Sequence, residues 1–171
     1  MKIKNTTVLK SVEKPGRYSA GEFGQIIKDK KDIKARWAFC FPDTYEIGMS
    51  NLGVRILYGA LNSEPDIWCE RAYAPWTDMQ EQMRKHGIPL TAHESGDPLR
   101  EFDIIGITLQ YEMCYTTTLQ MLSLAGIPLY AKDRGEDLPI IIGGGPCAYN
   151  PEPIADFFDC FSIGEGEENL V

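Results

Sequence analysis

The run Ile140-Ile141-Ile142-Gly143-Gly144-Gly145-Pro146, followed some twenty residues later by Ile163-Gly164-Glu165-Gly166-Glu167, holds the residues best suited to meet a ligand. Three glycines after a β-branched strand leave a loop without side chains, where backbone N–H groups approach a bulky ligand closely or wrap an anion. A tight turn that takes glycine for its dihedrals has the same composition, and the glycines alone do not separate the two readings. Two other loops carry polar chemistry, Pro42–Met49 (PDTYEIGM) and Thr108–Thr118 (TLQYEMCYTTT), and Gly143–Asn150 (GGGPCAYN) completes the set. Glycines, threonine hydroxyls and tyrosines with few charges suit a large, mostly neutral ligand with a polar tail better than hydrolysis. Neither His86 nor His93 falls in these loops, so no Ser/His/Asp set assembles and no catalytic residue is assigned. Asp43 and Glu46 share one loop, where helix capping explains them as well as acid/base work does.

Metal chemistry has little to build on. Cys40, Cys69, Cys114, Cys147 and Cys160 are widely spaced in apolar contexts, without a CxxC pair or CxxxCxxC triplet, and suit reduced core thiols. His86 and His93 are isolated from other ligands, and no metal ligand is assigned. A formal charge of −8 argues against nucleic-acid binding. The basic run Lys28 to Arg36, interrupted by Asp29 and Asp32, reads as a solvated surface stretch. No apolar run is long enough for a membrane span, the start MKIKNTTVLK lacks a signal-peptide core, and a cytoplasmic location is the expectation.

The elements that must position these loops follow a repeating grammar. After a polar N-terminal arm over 1–35, strands are expected at Trp37–Phe41, Ile67–Tyr73, Phe102–Leu109, Leu138–Ile142 and Cys160–Ile163. Helices are expected at Ile47–Asn62, at Thr77–His86 with Thr77-Asp78 as cap and Gly87 as stop, at Tyr115–Ala125, and around Pro153–Phe158. Continuous apolar strands alternating with helices indicate an α/β fold. It is an open, doubly wound five-stranded parallel sheet, Rossmann-like or flavodoxin-like, of order 2-1-3-4-5, spanning 36–171. The acidic residues Glu165, Glu167 and Glu168 read as the first turn of one more helix, so the chain is expected to be a domain cut from a longer protein.

The segments FDIIGITLQYEMCYTTTLQML and LPIIIGGGPCAYNPEPIADFFDCFSIGEGEE resemble the cobalamin-binding Rossmann-like domain at the front of many radical S-adenosylmethionine enzymes. More narrowly, EKPGRY, FPDTYEIGMSNLG, ERAYAPWTDM and NPEP resemble one bacterial family of B12-binding-domain radical SAM proteins, the likeness running from about Glu13 to Glu168. The resemblance implies cobalamin as cofactor. Gly106, Thr108, Thr116 and Thr117 would line a groove for the nucleotide tail, and Gly143, Gly144 and Gly145 would form its other wall. Helix capping is the other reading of the threonines.

Corrinoid domains that bind with a protein imidazole carry Asp-x-His-x-x-Gly after the first strand. Here the run is Asp43-Thr44-Tyr45-Glu46-Ile47-Gly48, with tyrosine in the histidine position. A phenol of pKa about 10 is a poor partner for cobalt at neutral pH. Either cobalamin binds without that imidazole, or the fold persists without the cofactor. The resemblance also implies a following radical SAM domain as partner, which would hold the 4Fe-4S cluster and S-adenosylmethionine. Two other readings compete: a degenerate Rossmann-like docking or substrate-recognition domain, and a flavodoxin-like nucleotide-binding domain. The second is weakened by a first loop that is not rich in glycine and hydroxyls.

Overall fold

The structure, a computed structural model, describes residues 1–170 and, within them, every side chain but those of Glu167 and Glu168. Helix α1 (Thr6–Lys10) precedes strand β1 (Ala35–Phe41). Helices α2 (Tyr45–Ser50) and α3 (Leu52–Ser63) then lead to β2 (Ile67–Tyr73) and α4 (Thr77–His86). The chain continues through β3 (Ile104–Thr108), α5 (Cys114–Leu124), β4 (Ile140–Gly144), β5 (Cys160–Phe161) and α6 (Gly166–Asn169). The five strands form one sheet in the order β2-β1-β3-β4-β5, parallel at every pairing. This is the expected open order, and its direction reverses between β1 and β3, where such sheets hold ligands beyond the strand carboxyl ends.

Period-2 alternation sorts the strands onto two covered faces. Trp37, Phe39, Phe41, Cys69 and Tyr73 pack with Val54, Tyr58 and Leu61 of α3. Ala38, Cys40, Ala72, Ile105, Ile107 and Ile141 pack on the other side with Met79 and Met83 of α4 and Met121 and Leu122 of α5. Met1, Ile3, Val8, Val12 and Tyr18, from the segment expected as an arm, are buried in this second core.

Several boundaries differ from the sequence reading for local reasons. The single helix expected over Ile47–Asn62 is two, because Asn51 adopts extended dihedrals and its Oδ1 caps α3 by accepting from Val54 N at 3.0 Å. Helix α4 starts at Thr77 without a side-chain cap, and Asp78 Oδ2 instead accepts from Glu13 N at 2.8 Å. The segment around Pro153–Phe158 is a 3-10 helix over Glu152–Phe157. The basic run is anchored rather than solvated at its ends: Lys28 Nζ donates to two backbone carbonyls at 2.5 Å, and Arg36 lies 4.2 Å over the Phe102 ring while pairing with Glu70 and Asp97. Cys40, Cys69 and Cys114 are buried thiols, but Cys160 is exposed. The helix expected at the acidic run is α6, with Glu165 as N-cap; the side chains of Glu167 and Glu168 lie outside the described part. Among the described residues, no helix is long and apolar enough to cross a membrane.

Candidate functional site

A slot of about 170 Å³ opens between the α3 face of the sheet and the segment leading into α6. Its floor is the sheet itself. Strand register sets Phe39 beside Gly106, Gly106 beside Ile142, and Thr108 beside Gly144, so two glycines remove side chains from the middle of the face. Its walls are Val54 and Leu57 of α3, Leu170, and the backbone at Gly164 and Gly166. Among the described residues, no charged side chain lines it. Two of the polar groups at its rim are already engaged: Thr108 Oγ1 accepts from Gln110 Nε2, and Asn51 Oδ1 caps α3. Such a slot suits a flat, neutral, largely apolar group. A phosphate would find no counter-charge there.

The three consecutive glycines prove to have three different reasons. At Gly143 a Cβ would come within 2.7 Å of the Phe161 ring on the opposite face, so its smallness serves packing. At Gly145 the backbone φ is +88°, and a Cβ would sit 3.1 Å from both Leu109 O and Thr108 Oγ1; this glycine serves the turn. At Gly144 a Cβ would meet nothing closer than Ser162 O at 3.9 Å, and the residue lines the slot. Neither the turn nor the packing requires glycine there. The space it leaves belongs to the slot.

The other sequence-predicted residues divide. Gly106, Thr108, Gly144 and Gly145 line the slot together. Asp43 and Thr117 line a second, more polar crevice of about 230 Å³ with Tyr111, Trp76, Gln80 and Gln120, whose side-chain amides pair reciprocally. Thr116 is exposed on α5. Gly48 is a packing position, where a Cβ would lie 2.4 Å from the Tyr73 ring. Slot residues missed in the sequence include Trp37, Asn51 and Ser162. Trp37 shares the Phe39 face of β1, and that alternation was the available signal.

Tyr45 lies apart from the slot in a buried polar cluster beside the β2 edge. Its ring stacks on His93 with centroids 5.3 Å apart and meets Tyr73 edge-on at 5.4 Å. Burial and the adjacent Glu22 carboxylate push its phenol up to about 12, so it stays protonated at neutral pH. Burial works to raise Glu22 too, but His93, Tyr45 and Arg71 outweigh it and bring that carboxyl down to about 2. His93 is 1% exposed; its Nε2 lies 2.9 Å from Glu22 Oε1, close but off the line of a hydrogen bond, and its Nδ1 lies 3.4 Å from the Met1 amine. Arg71 closes the cluster, donating to Glu94 at 2.7 Å and Glu22 at 2.8 Å. With both ring nitrogens facing inward partners, His93 is a structural residue of the β2 edge.

Comparison with known proteins adds three findings. Residues 53–171 match the family model described as radical SAM proteins, N-terminal. An uncharacterized protein of Methanocaldococcus jannaschii is 30% identical over 137 residues, which cover 78% of this chain and 24% of that protein. The chain thus spans about a quarter of the length of this curated relative. Among solved structures, a cobalamin-binding protein from Desulfitobacterium hafniense is similar over 80% of this chain and 56% of that one, at 9% identity and a TM-score of 0.44. The family match takes in α3, every strand after β1 and the slot's glycines, and the chain belongs to the N-terminal domain family of radical SAM proteins.

Proposed function

We propose that this domain holds a corrinoid such as cobalamin, with the nucleotide tail in the slot and the macrocycle over the carboxyl edge of the sheet, and presents it to the radical SAM domain of the full-length protein. The observation that carries the reading is the slot: a space at the topological switch point, without a charged side chain among the described residues and left open at Gly144. Its volume is below the roughly 300 Å³ at which whole-ligand pockets begin, so it suits one ring system of a larger ligand whose bulk stays outside. Residues on the loops and helix starts at that edge are apolar and exposed, among them Leu52, Met113, Tyr149 and Ile163; Met113 is 83% and Tyr149 71% exposed. A rim of this kind favours a large partner surface.

When bound, the corrinoid supplies organometallic methyl or radical chemistry, and this chain's residues bind and orient it. Tyr45 offers cobalt no ligand, since its phenol stays neutral beside Glu22. His93 is enclosed behind it. The reading therefore assigns cobalt no protein imidazole from this chain. The 4Fe-4S cluster and S-adenosylmethionine belong, on this reading, to the radical SAM domain. The exposed rim also favours a second reading, a docking domain without cofactor. Mixing the purified protein with hydroxocobalamin or with FMN, desalting, and recording the visible spectrum separates them. A retained corrinoid spectrum is expected; colourless protein favours the docking domain, and a retained flavin spectrum the nucleotide-binding alternative.

A further inference from the structure

The crevice on the α4 and α5 face of the sheet is built from other chemistry than the slot. Among the described residues, Asp43 is the one charged side chain on its walls. Asp43 is held from two sides: its Oδ1 accepts from Thr44 N at 2.6 Å, and the Tyr111 hydroxyl donates to its Oδ2 at 3.4 Å. A carboxylate has about four acceptor sites, so these two bonds leave it with capacity to spare. The glutamines add to the surplus. Gln80 Nε2 donates to Pro75 O at 2.7 Å and to Gln120 Oε1 at 3.0 Å, which uses both of its N–H groups. Because a carbonyl can only accept, the Pro75 contact fixes which way the Gln80 amide faces. The Gln120 amide follows, donating from Nε2 to Gln80 Oε1 at 2.6 Å. Each amide oxygen keeps a second lone pair, while the two amides keep one N–H between them. Thr44 stands at the N-cap position of α2 and is 9% exposed, yet its hydroxyl makes no capping bond, and the residue lines the crevice.

Spare acceptors and a single negative charge disfavour an anion and favour a cation rich in N–H donors. Tyr111 and Trp76, 46% and 47% exposed, add aromatic surface for an apolar stem. A volume of about 230 Å³ admits one arm of a ligand rather than a whole one. We infer that the crevice binds a primary alkylammonium group, with Asp43 as its charge partner and the glutamine carbonyls and Thr44 hydroxyl as further acceptors. An amine substrate anchored there reaches the same carboxyl edge as the slot, from the opposite face of the sheet. The inference does not depend on what the slot holds.

The test titrates three probes into the ¹⁵N-labelled protein at neutral pH and follows the side-chain amide resonances. Butylammonium is the ligand group itself, 1-butanol shares its chain without the charge, and butyltrimethylammonium shares the charge without N–H donors. The Gln120 signals are identified by their loss in Gln120→Met. Butylammonium should move them and bind at least about tenfold more tightly than either comparison probe, the scale of a charge-assisted hydrogen bond. Asp43→Asn, which keeps an oxygen for the Thr44 N–H, should remove that preference, and added salt should weaken butylammonium binding to the parent. Butanol or butyltrimethylammonium binding as tightly as butylammonium, no binding of butylammonium, or shifts that leave the Gln120 amide unmoved would overturn the inference, and this comparison needs only the parent fold. A butylammonium preference that survives in Asp43→Asn would overturn it as well.

Discussion

Replacing Gly144 with valine separates a ligand slot from a mere gap in packing. A Cβ at Gly144 has 3.9 Å to its nearest neighbour, Ser162 O, and the backbone there is not in the left-handed region. Valine is also favoured in a strand, so β4 should tolerate it. Its three side-chain carbons, each about the size of a water with a share of about 30 Å³, would take about half of the 170 Å³ slot. A flat ring that buried about 150 Å² there would lose roughly 4 kcal/mol at about 25 cal/mol/Å², close to a thousandfold in affinity. Titration of Gly144→Val with hydroxocobalamin, followed by the visible spectrum, reads that loss, while far-UV circular dichroism and the melting temperature should match the parent. An unchanged affinity in a folded variant would refute the placement of the ligand in this slot.

Four further outcomes follow from the same geometry. Gly143→Ala forces the Phe161 ring, 2.7 Å from the new Cβ, to move, and should cost about 1–3 kcal/mol in denaturant unfolding. Tyr45→Phe removes a neutral hydroxyl beside Glu22 and should change corrinoid affinity by no more than about 1 kcal/mol in the same spectral titration. Glu94→Gln leaves the Arg71 guanidinium, 8% exposed, short of its buried counter-charge, and should lower the urea midpoint by an amount equivalent to about 3 kcal/mol. Glu22 titrates near 2 when folded against an ordinary 4.5, so its contribution is present above about pH 4.5 and is lost as the pH falls toward 2. Unfolding curves of parent and Glu22→Gln should therefore converge in acid, with a gap at neutral pH of up to about 3 kcal/mol before solvent screening is discounted.

The strands and their order were legible because continuous apolar runs such as Ile104–Thr108 and Ile140–Ile142, alternating with helices, indicate buried parallel strands, and the flavodoxin-like doubly wound sheet supplies the order. The Ile47–Asn62 boundary failed on a single side-chain cap, since apolar spacing carries through Asn51 unbroken while its hydrogen bond does not show in a pattern. Gly144 could be placed at the ligand edge from strand and loop alone, whereas Gly106, inside β3, came only from the family resemblance. What composition could not show is why each glycine is there: Gly143 answers to Phe161, far along the chain on β5, and Gly48 to Tyr73 on β2. Trp37 escaped notice for the same reason, because its meaning depends on lying over Gly106 of a neighbouring strand. The Glu22–His93–Arg71 cluster joins three distant segments and left no sequence-local trace.

The claim that the slot holds the tail of a corrinoid is tested most directly by equilibrium dialysis of the protein against cobalamin and against cobinamide, the same macrocycle without its nucleotide. A tail bound at the cost of about 150 Å² of apolar surface predicts that cobalamin is retained and that cobinamide binds about a thousandfold more weakly. Equal retention of the two, or retention of neither, would contradict it.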